Sequence, residues 1–232
     1  MKVLRNFEAS VDGFEVEFYP KLLDAEFSEA QRRAFYDLKV GKNSANRLLR
    51  GVRWGVYARD TFSWLQRNSY RLDSDKNPEE EGRTRYFSLM DEDFLCHPIL
   101  TDVLRSCFSK HRFAESSYAR AYEIQLSFIR YQPTLEQPAL PSPIIPHQDA
   151  VDGTIIVLNK FGSLSGGLSR IYSLQNDPLF EIDLRTGESL FVVDSKIKHQ
   201  VTPLQMEPDR DWRPGDLAFR DVMIVRYQPV GR

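Results

Sequence analysis

The sequence predicts a mainly β domain of the sandwich or jelly-roll kind, with helices packed outside a β core. Three observations carry this. From Glu123 onward the apolar signals are short and strand-like. Turns rich in Gly, Pro, Asn and Asp ("FGSLSGG", "QNDP", "RTGE", "EPDRDWRPGD") separate them, with no strand–helix alternation. The two amphipathic helical patterns both fall in the N-terminal half.

In chain order, "FSEAQRRAFYDL" reads as a helix with Ser28 as cap, Gln31 completing a capping box and Phe27 at the staple position. "RGVRWGVYARDTFSWL" alternates Val52, Trp54, Val56 and Ala58 with Arg53, Gly55, Tyr57 and Arg59. That pattern gives a strand with one apolar face and one face carrying two arginines. The polar stretch from Gln66 to Thr84 has no period and reads as a long loop or a lid. "HPILTDVLRSCFSKHR" repeats Ile99, Val103, Cys107 and Leu100, Leu104, Phe108 along one helical face. Then come "EIQLSFIRY", "TIIVL", "LFEIDL", "SLFVVD" and "VMIVRY", each short enough for a strand. One domain is the simplest organisation.

Of the 232 residues, 41% are hydrophobic and 28% charged, which sets aside a disordered chain, and the net charge of −2 offers no basic footprint for nucleic acid or an anionic membrane. No apolar run approaches the ~20 residues of a membrane span, and "MKVLRNFEASVDGFEVEFYP" has no apolar core of a signal peptide. Cys107 lies on an apolar helical row and reads as a buried free thiol; two cysteines, Cys96 and Cys107, fit a reduced, cytoplasmic setting.

The chemistry concentrates in "IPHQDAVDGTIIVL". On extended backbone, residues two apart share a side, so His147 and Asp149 project together at the mouth of a strand. A lone H-x-D pair is usually a surface or capping pair. A metal needs a third ligand from elsewhere. Of the other histidines, His97 precedes Pro98 and opens a helix, and His111 sits between Lys110 and Arg112 at a helix end. His199 lies at the edge of another expected strand, fifty-two residues after His147. Two imidazoles and a carboxylate suit ferrous iron with open positions, and zinc is the alternative.

H-x-D, a distal His, and an Arg opening the last core strand resemble the Fe(II)/2-oxoglutarate-dependent dioxygenases. "YFSLMDEDFLCHPILTDVLR", "IRYQPTLEQPALPSPIIPHQD", "SGGLSRIYS", "HQVTPL" and "FRDVMIVRY" resemble, more narrowly, the small bacterial group of free amino acid hydroxylases that includes L-isoleucine 4-hydroxylase. The resemblance implies a double-stranded β-helix (jelly roll, cupin-like) and a single dioxygenase domain over 1–232. Residues 1–120 would supply flanking helices and strands, and 121–230 the jelly-roll core. It implies iron ligation by His147, Asp149 and His199. Arg220, twenty-one residues after His199, matches the arginine that pairs with the far carboxylate of 2-oxoglutarate. Tyr131 is expected to hydrogen-bond the same carboxylate, with Thr202 or Ser142 adding hydroxyls. Arg210 and Arg213, in "EPDRDWRPGD", read as solvated rivals of Arg220. Keeping Arg220 in place requires "MEPDRDWRPGD" to be an excursion between strands, because the spacing from His199 exceeds that of the family.

The activity implied is oxidative decarboxylation of 2-oxoglutarate by dioxygen, giving succinate and carbon dioxide, coupled to hydroxylation of an unactivated C–H bond of a free L-amino acid. Ascorbate is an expected stimulant. A carboxylate at Asp149, where related halogenases carry a small residue, implies hydroxylation or a related oxidation and not halogenation. A zwitterion needs a cation for its carboxylate, with Arg53, Arg59 and Arg85 as candidates, and an acceptor for its ammonium group, for which Asp152 is the candidate. The expected partner is this small molecule, on a monomer or homodimer, without nucleic acid or membrane. Three alternatives stay open: a peptide- or carrier-bound substrate, a cupin-type metal enzyme without 2-oxoglutarate, and a jelly-roll binding module.

Overall fold

The computed structural model describes residues 13–39, 47–71, 84–114, 121–141, 145–149, 151–208, 210–213 and 215–230. The elements are β1 (Phe14–Phe18), a 3-10 turn (Pro20–Leu23), α1 (Ala25–Tyr36), β2 (Arg47–Ala58), β3 (Thr61–Leu65), β4 (Ser69–Arg71), β5 (Thr84–Tyr86), β6 (Ser88–Leu89), α2 (Glu92–Leu95) and α3 (Pro98–Ala114). They continue with β7 (Ala121–Tyr131), β8 (Gly153–Phe161), β9 (Leu164–Gly166), β10 (Ser169–Tyr172), β11 (Pro178–Ile182), β12 (Glu188–Val192), β13 (Lys198–Val201), β14 (Leu204–Met206) and β15 (Phe219–Pro229). Residues 72–83, most of the expected lid, and Ser142 lie outside the described residues.

The major sheet runs β1-β12-β8-β15-β7-β2-β3, with β6 beside β2. A second layer consists of β11-β10-β13 and the β9/β14 pair. Every pairing is antiparallel except β2 with β6. This is the jelly roll of the expectation.

The period of two on β7 decides how the layers stack. Tyr122, Ile124, Leu126 and Phe128 belong to a core shared with Phe27 and Phe35 of α1, and with Leu100, Leu104 and Cys107 of α3. Ile129 and Tyr131 point the other way, into a core shared with Ile171 of β10, Leu164 of β9 and Leu204 of β14. Each fully buried Leu, Ile or Phe contributes roughly 1.5–3 kcal/mol, so both faces of the central strands are held. A buried polar contact ties α1 to the sheet. Asp221 of β15 accepts two hydrogen bonds from Arg130, both at 2.7 Å, and one from Gln31 at 2.8 Å.

Two local expectations are corrected. The cap of α1 is Asp24, whose carboxylate accepts from the Glu26 and Phe27 amides at 2.9 and 3.0 Å. Ser28 is inside the helix and donates to the Asp24 carbonyl. The arginine-bearing face of β2 is not a polar face toward the site. Arg53 stands opposite Leu126, on the side covered by helices, and is 2% exposed. The excursion before β15 is present: Arg210 and Arg213 are exposed, and Trp212 Nε1 and the Arg213 amide bond within it to the Glu207 carbonyl and the Asp216 carboxylate.

Candidate metal centre

His147 and His199 come together because the chain pairs them as an isolated antiparallel bridge. Each backbone amide donates to the other's carbonyl at 3.0 Å. Their rings stand 4.3 Å apart, centroid to centroid. Asp149 Oδ1 lies 3.8 Å from His147 Nε2, and Asp149 Oδ2 lies 3.7 Å from His199 Nε2. One donor atom from each residue falls within 4.8 Å of the others, so one ion reaches all three with small side-chain rotations.

The supporting bonds suit ligation. His147 Nδ1–H donates to the Ile145 carbonyl at 2.9 Å, which leaves Nε2 as the free lone pair. Burial lowers the His199 pKa from 6.5 to about 4, aided by the neighbouring His147, against the opposing pull of Asp149. A neutral imidazole is the form that ligates. Burial raises the Asp149 pKa, but Arg226, His199 and His147 outweigh it and hold the group ionised below its ordinary range. The loop is stitched to the turn after β12. The Asp149 amide donates to Asp194 Oδ1 at 2.6 Å, the Gln148 amide group donates to the Asp194 carbonyl, and the Asp194 amide donates to Asp152 Oδ1 at 2.8 Å.

A cavity of about 130 Å³ opens on the three residues and is also lined by Tyr131, Ser169, Leu190, Ile224 and Arg226. Arg220 is 2% exposed and directly opposite Tyr131, a lining residue, on β7. Arg220 Nη1 donates to the Gly167 carbonyl at 2.7 Å, while Nε and Nη2 are buried without a partner. Burial depresses the Arg220 pKa, against the pull of Asp183 and Tyr131. Buried guanidinium donors left unpaired cost several kcal/mol at order of magnitude, and a carboxylate placed there repays that. The three donors and the buried cation opposite Tyr131 therefore fit ferrous iron and a dicarboxylate.

Other expected site residues fall elsewhere. Thr202 Oγ1 accepts from the Leu168 amide at 2.9 Å and serves strand pairing. Arg53 Nη2 donates to Glu92 at 2.5 Å on the helix side. Arg59 is exposed in the β2–β3 turn with φ 50°. Arg85 lies on β5, opposite Tyr70, and Asp152 is engaged by the Asp194 amide; neither is among the residues lining the cavity. Two cavity residues were missed. Ser169 presents a buried hydroxyl without a partner. Arg226 donates through Nη2 to Asp149 Oδ2 at 2.6 Å. The alternation Arg220, Val222, Ile224, Arg226 was the available signal, since it sets both arginines on one face of β15.

An antiparallel jelly roll with two imidazoles, one carboxylate and a buried, half-paired arginine defines a ferrous oxygenase of the dicarboxylate-dependent class. The chain belongs to the 2OG-Fe dioxygenase family, whose model matches residues 32–226. L-isoleucine-4-hydroxylase of Bacillus thuringiensis is 27% identical to it over 165 residues, 69% of this chain, and the match spans 65% of that relative's length. Among solved structures, IDO from Bacillus thuringiensis aligns with a TM-score of 0.74 at 23% identity, covering 94% of this chain and 91% of that one. A bsmA homolog from Methylobium petroleophilum PM1 aligns with a TM-score of 0.77 at 17% identity, covering 94% and 89%. Both solved structures bear on the fold alone. Enzymes of the family use Fe(II), 2-oxoglutarate and dioxygen, and the chain is a dioxygenase of this kind. Among the described residues no helix is long and apolar enough to cross a membrane.

Proposed function

We propose that the protein hydroxylates an unactivated C–H bond of a free L-amino acid. The observation that carries the oxygenase half of this reading is the His147–Asp149–His199 donor set together with the buried, unpaired Nε and Nη2 of Arg220, which stands opposite the cavity residue Tyr131. The similarity to L-isoleucine-4-hydroxylase supports the substrate class.

In this reading His147 Nε2, Asp149 and His199 Nε2 would hold ferrous iron, a donor set that suits an ion which also binds co-substrates. Iron, 2-oxoglutarate and dioxygen together supply the oxidation: one oxygen atom enters the substrate C–H bond, the other enters succinate, and carbon dioxide leaves. The chain's own work is placement. Arg220 receives the far carboxylate of the cosubstrate, with Tyr131 beside it and the Ser169 hydroxyl as a further donor. Leu190, Ile224 and Val192 line the same cavity with apolar surface and limit water near the reacting carbon. Ascorbate assists by keeping the metal ferrous.

A substrate screen tests this. The purified protein is incubated with Fe(II), ascorbate, 2-oxoglutarate and each proteinogenic amino acid, and succinate and products heavier by one oxygen atom are read by mass spectrometry. The expected result is succinate formed in step with one hydroxylated amino acid. Turnover confined to peptide-bound residues, or product without succinate, contradicts the reading.

A further inference from the structure

We infer that Arg226 is the anchor for the substrate's carboxylate, seated beside the metal ligands. This rests on the free-carboxylate substrate of the proposed function and supplies the cation that Arg53, Arg59 and Arg85 do not bring to the cavity.

Arg226 projects from β15 into the cavity lined by all three ligand residues. Only its Nη2 is engaged, donating to Asp149 Oδ2 at 2.6 Å. Its Nε is buried with no partner, Nη1 has none among the described residues, and a quarter of the side chain is exposed. A guanidinium with most of its donors unspent is a poor brace for one carboxylate oxygen, and a good receptor for a second anion.

The charge balance points the same way. Among the lining residues the only acid is Asp149, and the only other charged side chain is Arg226. Arg220, opposite the lining residue Tyr131, adds a cation, and the nearby Asp183 is already neutralised by Lys160 at 2.8 Å. A divalent metal and a doubly negative cosubstrate cancel each other. Asp149 then offsets one arginine, and one positive charge remains. That charge is local to Arg226 and is available to the carboxylate end of the zwitterion, and anchoring the carboxylate here fixes its distance from the carbon presented to the metal.

The test measures binding without turnover. Protein loaded with Mn(II) and 2-oxoglutarate under anaerobic conditions is titrated calorimetrically with the amino acid selected by the screen, or with L-isoleucine if none is selected, and with the corresponding amide. Wild type is expected to prefer the acid by about thirtyfold, roughly 2 kcal/mol. Arg226→Met levels acid and amide to within about twofold, and Arg226→Lys, which keeps charge but loses the fork, lies between. The acid-to-amide ratio is read at saturating metal, so weaker metal binding in a variant does not enter it. A ratio preserved in Arg226→Met overturns the anchor. So does a loss of 2-oxoglutarate affinity greater than about tenfold with that ratio intact, which would place the side chain on the cosubstrate. Binding of neither acid nor amide, with metal and 2-oxoglutarate still bound, overturns the amino acid reading and this anchor with it.

Discussion

His147 and His199 hold each other by their backbones: each amide donates to the other's carbonyl at 3.0 Å, and the rings come to 4.3 Å. Two imidazoles far apart in sequence are thereby set in register by backbone pairing. A slip of one residue would turn an imidazole to the opposite face. The centre is therefore built into the fold before any metal arrives, and its supports can be removed one at a time.

Arg220 should govern the cosubstrate and not the metal. Arg220→Gln is expected to raise the half-saturating 2-oxoglutarate concentration by about a hundredfold, since it removes a forked, buried cation. Fe(II) affinity should stay within about threefold. Initial rates of succinate formation against 2-oxoglutarate, with parallel metal titrations, distinguish the two.

Gly167 sets where Arg220 points. Its φ is +68°, its carbonyl accepts from Arg220 Nη1, and an added Cβ would sit 2.9 Å from Leu204 Cγ and 3.0 Å from Arg220 Nη1. Gly167→Ala combines left-handed strain of about 1–3 kcal/mol with displacement of the guanidinium. The expected outcome is a lower urea midpoint together with at least about tenfold weaker 2-oxoglutarate binding. An unchanged cosubstrate affinity would show that Arg220 does not depend on this contact.

Asp194 supports the proposed ligand Asp149, whose amide it receives at 2.6 Å. Asp194→Ala should weaken Fe(II) binding by roughly 10–100-fold, in the range of lost supports around metal ligands. Arg220 is untouched by the change, so the 2-oxoglutarate dependence of the metal-saturated variant should match wild type. Isothermal titration with metal, followed by a 2-oxoglutarate titration of the loaded protein, checks both.

Alkaline pH should loosen the helix-side core. Burial pushes the Cys107 thiol from 9.0 up to about 11, and raises Tyr19 and Tyr227 as well. A group whose pKa is raised by folding contributes stability that is whole below the unfolded value and is lost as pH climbs through the folded one. Urea unfolding should therefore hold steady to about pH 9 and then lose about 2–3 kcal/mol through Cys107 by about pH 11. Cys107→Ala should start lower from its cavity and show a flatter decline across that window. Equal slopes in the two proteins would contradict the assignment.

The long, regular strands were legible because side-chain alternation survives in the sequence. β7, β8, β12 and β15 each sit where alternating or apolar runs put them. β9, β10, β13 and β14 span only three or four residues, too short to show a period. The His147–Asp149–His199 cluster was legible because the H-x-D spacing and the distal histidine stand out in the sequence, although the pair lies in the loop before β8 and is held by a single bridge to His199. Arg53 was misplaced for a physical reason: alternation tells which residues share a face, but not which layer covers that face. The helical layer, formed by long-range packing, turned the supposed polar face into a buried one with Glu92 as its partner. The cap of α1 failed more simply, because Asp24 competes with Ser28 for the same role and lies nearer the true start.

The triad itself is tested most directly by anaerobic Fe(II) titration of wild type and of His147→Ala, Asp149→Ala and His199→Ala. Circular dichroism confirms that each variant is folded. One ferrous ion per wild-type chain is expected, with each substitution costing at least about a hundredfold in affinity. Wild-type affinity in any one of the three folded variants would mean that the metal is held elsewhere.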